Sequence, residues 1–447
     1  MQTHVAATLS MVLASVAGAA VDEDWVSTGG PPGGSIDVIA SSQTRTLAGG
    51  GSLFLSDSAG DAWSSIGAAP ARPTFAAAAN ETFYIATHDA RVFKTGGTGG
   101  AFAASPGTQS ISFLAADGDE LYAIASDVGS FNGGSLFVSD DGAGSWSEVT
   151  TPNTIGAVYK DGDVILAHIF STIELVRSDD GGKTWETIGV NAGLPQLAFG
   201  FSFVGEGDSI YASIASYTGL SEVFVSRDLG QTWESLGPGM TARAVIDMEL
   251  SEHHIYAVAT DASRTAIDIW RAPREGGAWT LVGDDVFSSS FVASGDMTVV
   301  GERLLLATSG AGVLMSDDGG FNWVAANSGL AGTTASAMSG AEDELLLTTG
   351  RAGEMWRFAS GQWSAIAFPS ALGDIRSVAA VAPSTFLAGT EAAGVRLSTD
   401  GGRTWSPANS GVPMYESIGG NKLREFDAFA SRGGTWVGAG GPGLEWP

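Results

Sequence analysis

Five aspartates, Asp141, Asp180, Asp228, Asp318 and Asp400, occupy the third position of a recurring pattern, S-x-D-x-G-x-x-W. Its clearest copies are SDDGGKTW (178–185), SRDLGQTW (226–233), SDDGGFNW (316–323) and STDGGRTW (398–405). A repeated carboxylate could ligate calcium or act as a catalytic acid. Catalysis needs one site rather than five, so the pattern reads first as scaffold. Ser and Asp side chains bond turn amides, Gly supplies φ > 0, and each bond contributes about 0.5–1.5 kcal/mol net. Other candidates are sparse. His253-His254, in SEHHIYAV, reads as a solvated turn rather than a metal site. A glycosidase needs two carboxylates across a cleft, roughly 5–9.5 Å apart, and among 49 acidic residues no pair stands out. The insert NSGVPMYESIGGNKLREF (409–426) is the best local candidate for ligand binding, through Tyr415, Lys422 and Arg424. Its alternative reading is a loop that covers the last blade. A second unusual loop, DVGSFNGG (127–134), presents Phe131. No catalytic residue, cofactor-binding residue or metal ligand is assigned.

The elements that carry these residues follow from the pattern's flanks. Apolar runs such as LFV, VFV and VLM precede it, and strands such as WETIG and WESLG follow it, so each copy is the turn of a β-hairpin. The Trp opens the return strand and buries a large ring. Weaker copies are SDSAGDAW with Ser58 for Asp, SDDGAGSW with Ala143 for Gly, TGGTGGAF, APREGGAW and RFASGQW. The aromatics fall at 63, 102, 146, 185, 233, 279, 323, 363 and 405. That spacing matches the ~40–45-residue period of a four-stranded propeller blade. Two earlier strands precede each turn, as in IGAVYKDG and VILAHIFS, and no long segment has a helical apolar period. The ends complete one another: WVSTGG (25–30) supplies one strand and FDAFAS, TWVGAGG and GLEWP supply three. The expected fold is therefore all-β, a single β-propeller of ten four-stranded antiparallel blades, closed by pairing the N-terminal strand with the C-terminal ones.

The turn pattern resembles the Asp-box, or BNR repeat, found on sialidases, xyloglucanases, photosystem II assembly factors and sortilin-type receptors. The resemblance covers nearly the whole chain. It implies a propeller whose boxes are structural hairpins away from the ligand face, and ten blades make the sortilin-type ring the nearest in count. That family follows its propeller with a cysteine-rich module and a membrane span, and neither is in this sequence. Sialidases with such boxes carry an Arg-Ile-Pro-type motif near the N-terminus, an arginine cluster and a Tyr nucleophile. Here the first blade begins PPGGSIDVIA, and the arginines Arg72, Arg243, Arg264, Arg351 and Arg376 are scattered over loops. Xyloglucanases of this kind use two seven-bladed rings, more chain than is present.

Composition narrows the partners. A net charge of −28, from 49 acidic against 21 basic residues, disfavours nucleic acid and anionic membranes. Zero cysteine excludes disulfides and thiolate metal sites. Residues 1–20 combine an apolar stretch with Ala17-Gly18-Ala19, which reads as a signal peptide ahead of a propeller domain over 21–447. The expectation is a secreted or periplasmic, monomeric, non-enzymatic propeller with no cofactor and no membrane insertion. It would bind a protein, peptide or glycan. The alternative is a sialidase-like or xyloglucanase-like glycoside hydrolase on the same ring.

Overall fold

The computed structural model describes most residues from 34 to 439. Residues 1–33 and 440–447 lie outside the described residues, as do connecting segments including 96–99, 104–109, 127–132, 216–220, 261–265, 289–294, 331–334, 350–353, 411–413 and 424–427. The described strands form nine four-stranded antiparallel units over 34–68, 73–103, 110–149, 155–188, 199–235, 244–288, 296–325, 335–366 and 375–407. In each, successive hairpins lay four strands side by side from the innermost outward. These are the nine units counted from the aromatic spacing.

Packing shows how the units are arranged. The first strands of sheets one to seven contact one another in a cycle, and Gly34–Ser41 of sheet one lies between Pro73–Ala79 of sheet two and Asp296–Val300 of sheet seven. Sheets one and seven join directly, Gly34 pairing with Gly310 and Ser35 with Ser309. An apolar cluster fills each interface around the cycle. At the seam, Ile36, Phe54 and Trp63 of sheet one pack with Leu305, Val313 and Ala326 of sheet seven and with Leu330 beyond it. A side chain of one sheet also reaches the turn of the next. Arg177 donates to the Leu229 carbonyl (2.7 Å), Arg271 to that of Gly319 (3.3 Å) and Arg303 to that of Ala59 (3.0 Å). The three acceptors hold the same place in their turns, so sheet one follows sheet seven as five follows four.

The contacts among the described residues do not confirm one ring of ten. Sheets eight and nine pack on each other around Leu346, Ile375 and Phe386, and the strand Ala428–Arg432 contacts the first strand of sheet nine. The strands expected to close a tenth unit, 25–30 and 443–446, lie outside the described residues. Similar motifs reveal how many units exist, whereas the Gly34–Gly310 pairing, the Arg303–Ala59 bond and the packing around Trp63 show which unit meets the first.

The repeated turn behaves as scaffold. In SDDGGKTW, Ser178 Oγ donates to Asp180 Oδ1 and accepts from the Gly182 amide, both at 2.8 Å. Asp180 also accepts from the Thr184 amide (2.8 Å) and hydroxyl (2.7 Å). The Thr184 hydroxyl and amide hold the Asp180 carboxyl down to about 2. Asp141, Asp318 and Asp400 are held at about 2 by matching bonds, and Asp228 is lowered against its partial burial. With both oxygens engaged by their own turn, these five carboxylates are committed to holding a hairpin.

Candidate functional site

The closed cycle of first strands encloses a tunnel of about 770 Å³, lined by residues of all seven sheets. Its wall is divided by chemistry. Sheets two, three and five contribute Phe75, Phe113 and Phe203, with Phe75 and Phe113 ring centroids 6.2 Å apart. Sheets six, seven and one contribute the carboxyls Asp247, Glu249, Asp296 and Asp37. Five of the strands kink where a residue bulges out of the ladder, at 37, 74, 156, 200 and 246. The third kinks near Ser112. Such bulges turn the entering strand toward the axis and re-aim the side chains beside it.

Two of the acids join sheets. Asp247 Oδ2 accepts the Met297 amide of the next sheet at 2.9 Å, and its Oδ1 accepts the Met248 amide at 2.8 Å. Asp296 Oδ2 accepts the Ile39 amide of sheet one at 2.7 Å. Enclosure in the wall pushes the Asp247 carboxyl up to about 7. Burial, and then repulsion from neighbouring carboxyls, holds Asp296 and Glu249 well above the ordinary range. Asp37 instead pairs with Arg72 at 3.2 Å, an arginine that is 69% exposed and therefore marks the rim. Chemically, the wall offers half-neutralised acids opposite a phenyl surface, suited to side chains that are cationic or apolar.

The residues singled out from sequence fall elsewhere. Tyr415 and Lys422 face one another in a two-stranded ladder, Met414–Ser417 with Gly420–Leu423, while Arg424 lies outside the described residues. The segment expected as a covering loop thus contains an antiparallel strand pair. Phe131, Arg243, Arg264 and Arg351 also lie outside the described residues. His253 is in the exposed turn where it was expected, and His254 opens the following strand. The tunnel acids have a sequence signal of their own, since IDMEL (246–250) and GDMTVV (295–300) repeat an Asp-Met pair where other units have small or apolar residues. The only group with metal-like spacing among the described residues is Asp268, Asp284 and Asp285, with oxygens within 4.8 Å. It is a largely exposed acidic cluster across the paired strands Ala266–Pro273 and Thr280–Ser288, in which the Asp285 amide donates to Asp268 Oδ1 at 3.1 Å.

No family model matches the chain, and no curated protein matches it. Among solved structures it is similar to PorZ, an essential bacterial surface component of the type-IX secretion system of Porphyromonas gingivalis. The TM-score is 0.55 at 13% identity, over 92% of this chain and 56% of that one. The fold is a β-propeller. The GH74 xyloglucanase of Xanthomonas campestris aligns at TM-score 0.45 and 14% identity, over 86% of this chain and 81% of its own. YCF48 of Cyanidioschyzon merolae aligns at 0.45 and 13%, over 64% and 95%. The chain spans little more than half of PorZ. Identity this low speaks to the blades and not to their activity.

Proposed function

We propose that this is a secreted, non-enzymatic propeller that binds a protein or peptide segment in its central tunnel. The supporting observation is the division of the wall. A cavity of about 770 Å³ with phenyl rings on one side and carboxyls on the other suits a chain carrying apolar and basic side chains. That volume lies within the ~300–1,000 Å³ of ligand pockets. Asp247 and Asp296 each have an oxygen engaged by a neighbouring blade's amide, which favours scaffold over catalysis. No Trp or Tyr lines the tunnel among the described residues, so an aromatic sugar platform of those types is missing there. The signal-like residues 1–20 support export. The box turns support kinship with Asp-box propellers. The sortilin-type comparison rested on ten blades in one ring, and a closed cycle of seven lends it no support.

A second reading is a glycoside hydrolase, favoured by one observation: an Asp247 carboxyl held up to about 7 in a cavity is suited to general acid work. One experiment separates the two. Peptides selected from a random display library on the full chain are titrated against wild type, Phe113→Ser and the triple variant Y415A/K422A/R424A, and xyloglucan oligosaccharides and sialosides are assayed in parallel. The binding reading expects at least a tenfold loss with Phe113→Ser and no turnover. Loss with the triple variant alone moves the site to the 414–423 hairpin. Turnover that Asp247→Asn abolishes establishes the hydrolase.

A further inference from the structure

We propose that the carboxyls of Asp247, Glu249 and Asp296 form a proton-operated lock on the tunnel wall, fastening blades six, seven and one when protonated and straining that seam when ionised. The geometry is that of a clasp. Asp247 reaches from blade six to the Met297 amide of blade seven, and Asp296 from blade seven to the Ile39 amide of blade one. Glu249 stands two residues beyond Asp247 on the same strand, so both side chains face the tunnel. A neutral carboxyl still accepts an amide hydrogen through its carbonyl oxygen, so protonation keeps both clasps while removing the like charges.

Among the described residues none of the three acids is in an ion pair. The neighbouring elements bring charged or titratable groups that are engaged elsewhere. In blade five, Glu206 pairs with Arg274, and Tyr211 donates to the Arg274 carbonyl. The second strand of blade six carries His254 and Tyr256, whose rings lie 6.1 Å apart. Arg303 of blade seven is held by Asp61 and Asp317, both at 2.6 Å, and Asp37 of blade one by Arg72. The charges acting on Glu249 are those of Asp247 and Asp296, and the charge acting on Asp296 is that of Asp247.

The sign follows from the enclosure of these half-buried carboxyls in the tunnel wall. The folded state holds these protons more tightly than the unfolded chain, so their contribution to stability is complete below the ordinary carboxyl range. It is lost as pH rises through the folded values, near 7 for Asp247. Each proton held only by the folded state lowers the folding constant about tenfold per pH unit. The test compares melting curves of the full chain from pH 5 to 8 with those of D247N/E249Q/D296N, in which each Asn keeps one acceptor oxygen for its inter-blade amide. Wild type should lose about 5 °C or more beyond the loss of the variant, which still carries the general repulsion of an acidic protein. Parallel curves would overturn the lock. Should the triple variant not fold, Glu249→Gln alone serves, since its carboxyl joins no two blades: a shallower slope than wild type supports the lock, and an unchanged slope overturns it.

Discussion

Replacing Gly329 by Ala tests where the ring closes. Gly329 follows blade seven at φ +85°, and a Cβ there would lie 2.0 Å from the Trp63 carbonyl oxygen of blade one. Ala in a left-handed conformation costs about 1–2 kcal/mol. Backbone must also part to relieve the overlap, which loosens the Trp63 amide bond to Ser328 (2.8 Å) and the indole bond to Ala326 (2.7 Å). At about 0.5–1.5 kcal/mol for each bond, the loss totals about 2–5 kcal/mol. Gly301→Ala is the control, because Gly301 has φ +65° with nothing within 4 Å of its added Cβ, leaving only the conformational cost. Urea unfolding followed by tryptophan fluorescence measures both. Gly329→Ala no worse than Gly301→Ala would refute the seam between blades seven and one.

Two further outcomes follow from the turns. Gly182→Ala should destabilise by about 2–4 kcal/mol, through its positive φ and a Cβ 2.2 Å from Val149 Cγ1, whereas Ala143→Gly at the equivalent position should change stability by less than about 1 kcal/mol. Ala143 is already fully buried at φ +63°, so strain relieved is offset by methyl burial lost; chemical denaturation of both variants checks the pair. The box carboxyls held at about 2 contribute stability above their ordinary range, and this is lost as pH falls toward 2. Melting temperature should therefore rise between pH 2 and 4, and D180N/D318N should flatten that limb; an unchanged limb would show the acid transition lies elsewhere.

The number of units was legible because each one places an aromatic just after a Gly-containing turn at regular spacing. The closure was harder to read. The turns look alike, and the distinguishing signal is a linker: NAGL and NSGL recur in the sequence, and the amides of the next blade's Trp233 and Trp63 donate to Ala192 and Ser328. Read as equivalents, they make blade one the successor of blade seven. The tunnel acids were hidden by abundance, since 49 acidic residues dilute any pair, and only alignment of the first strands isolates Asp247 and Asp296. Tyr415 and Lys422 stand out in the sequence as an aromatic and a cation in an acidic chain. Nothing in composition could show that they face each other across a ladder.

The central claim is that the tunnel receives a peptide segment. A photo-crosslinking amino acid is placed in the wall instead of Phe113 and, separately, on the outer strand of blade seven instead of Val324, which is 57% exposed. Each protein is irradiated with a library-selected peptide at its dissociation constant. The account expects adducts from position 113, suppressed by excess unlabelled peptide, and none from position 324. Adducts confined to position 324, or no adduct at 113 from a peptide that binds, would contradict it.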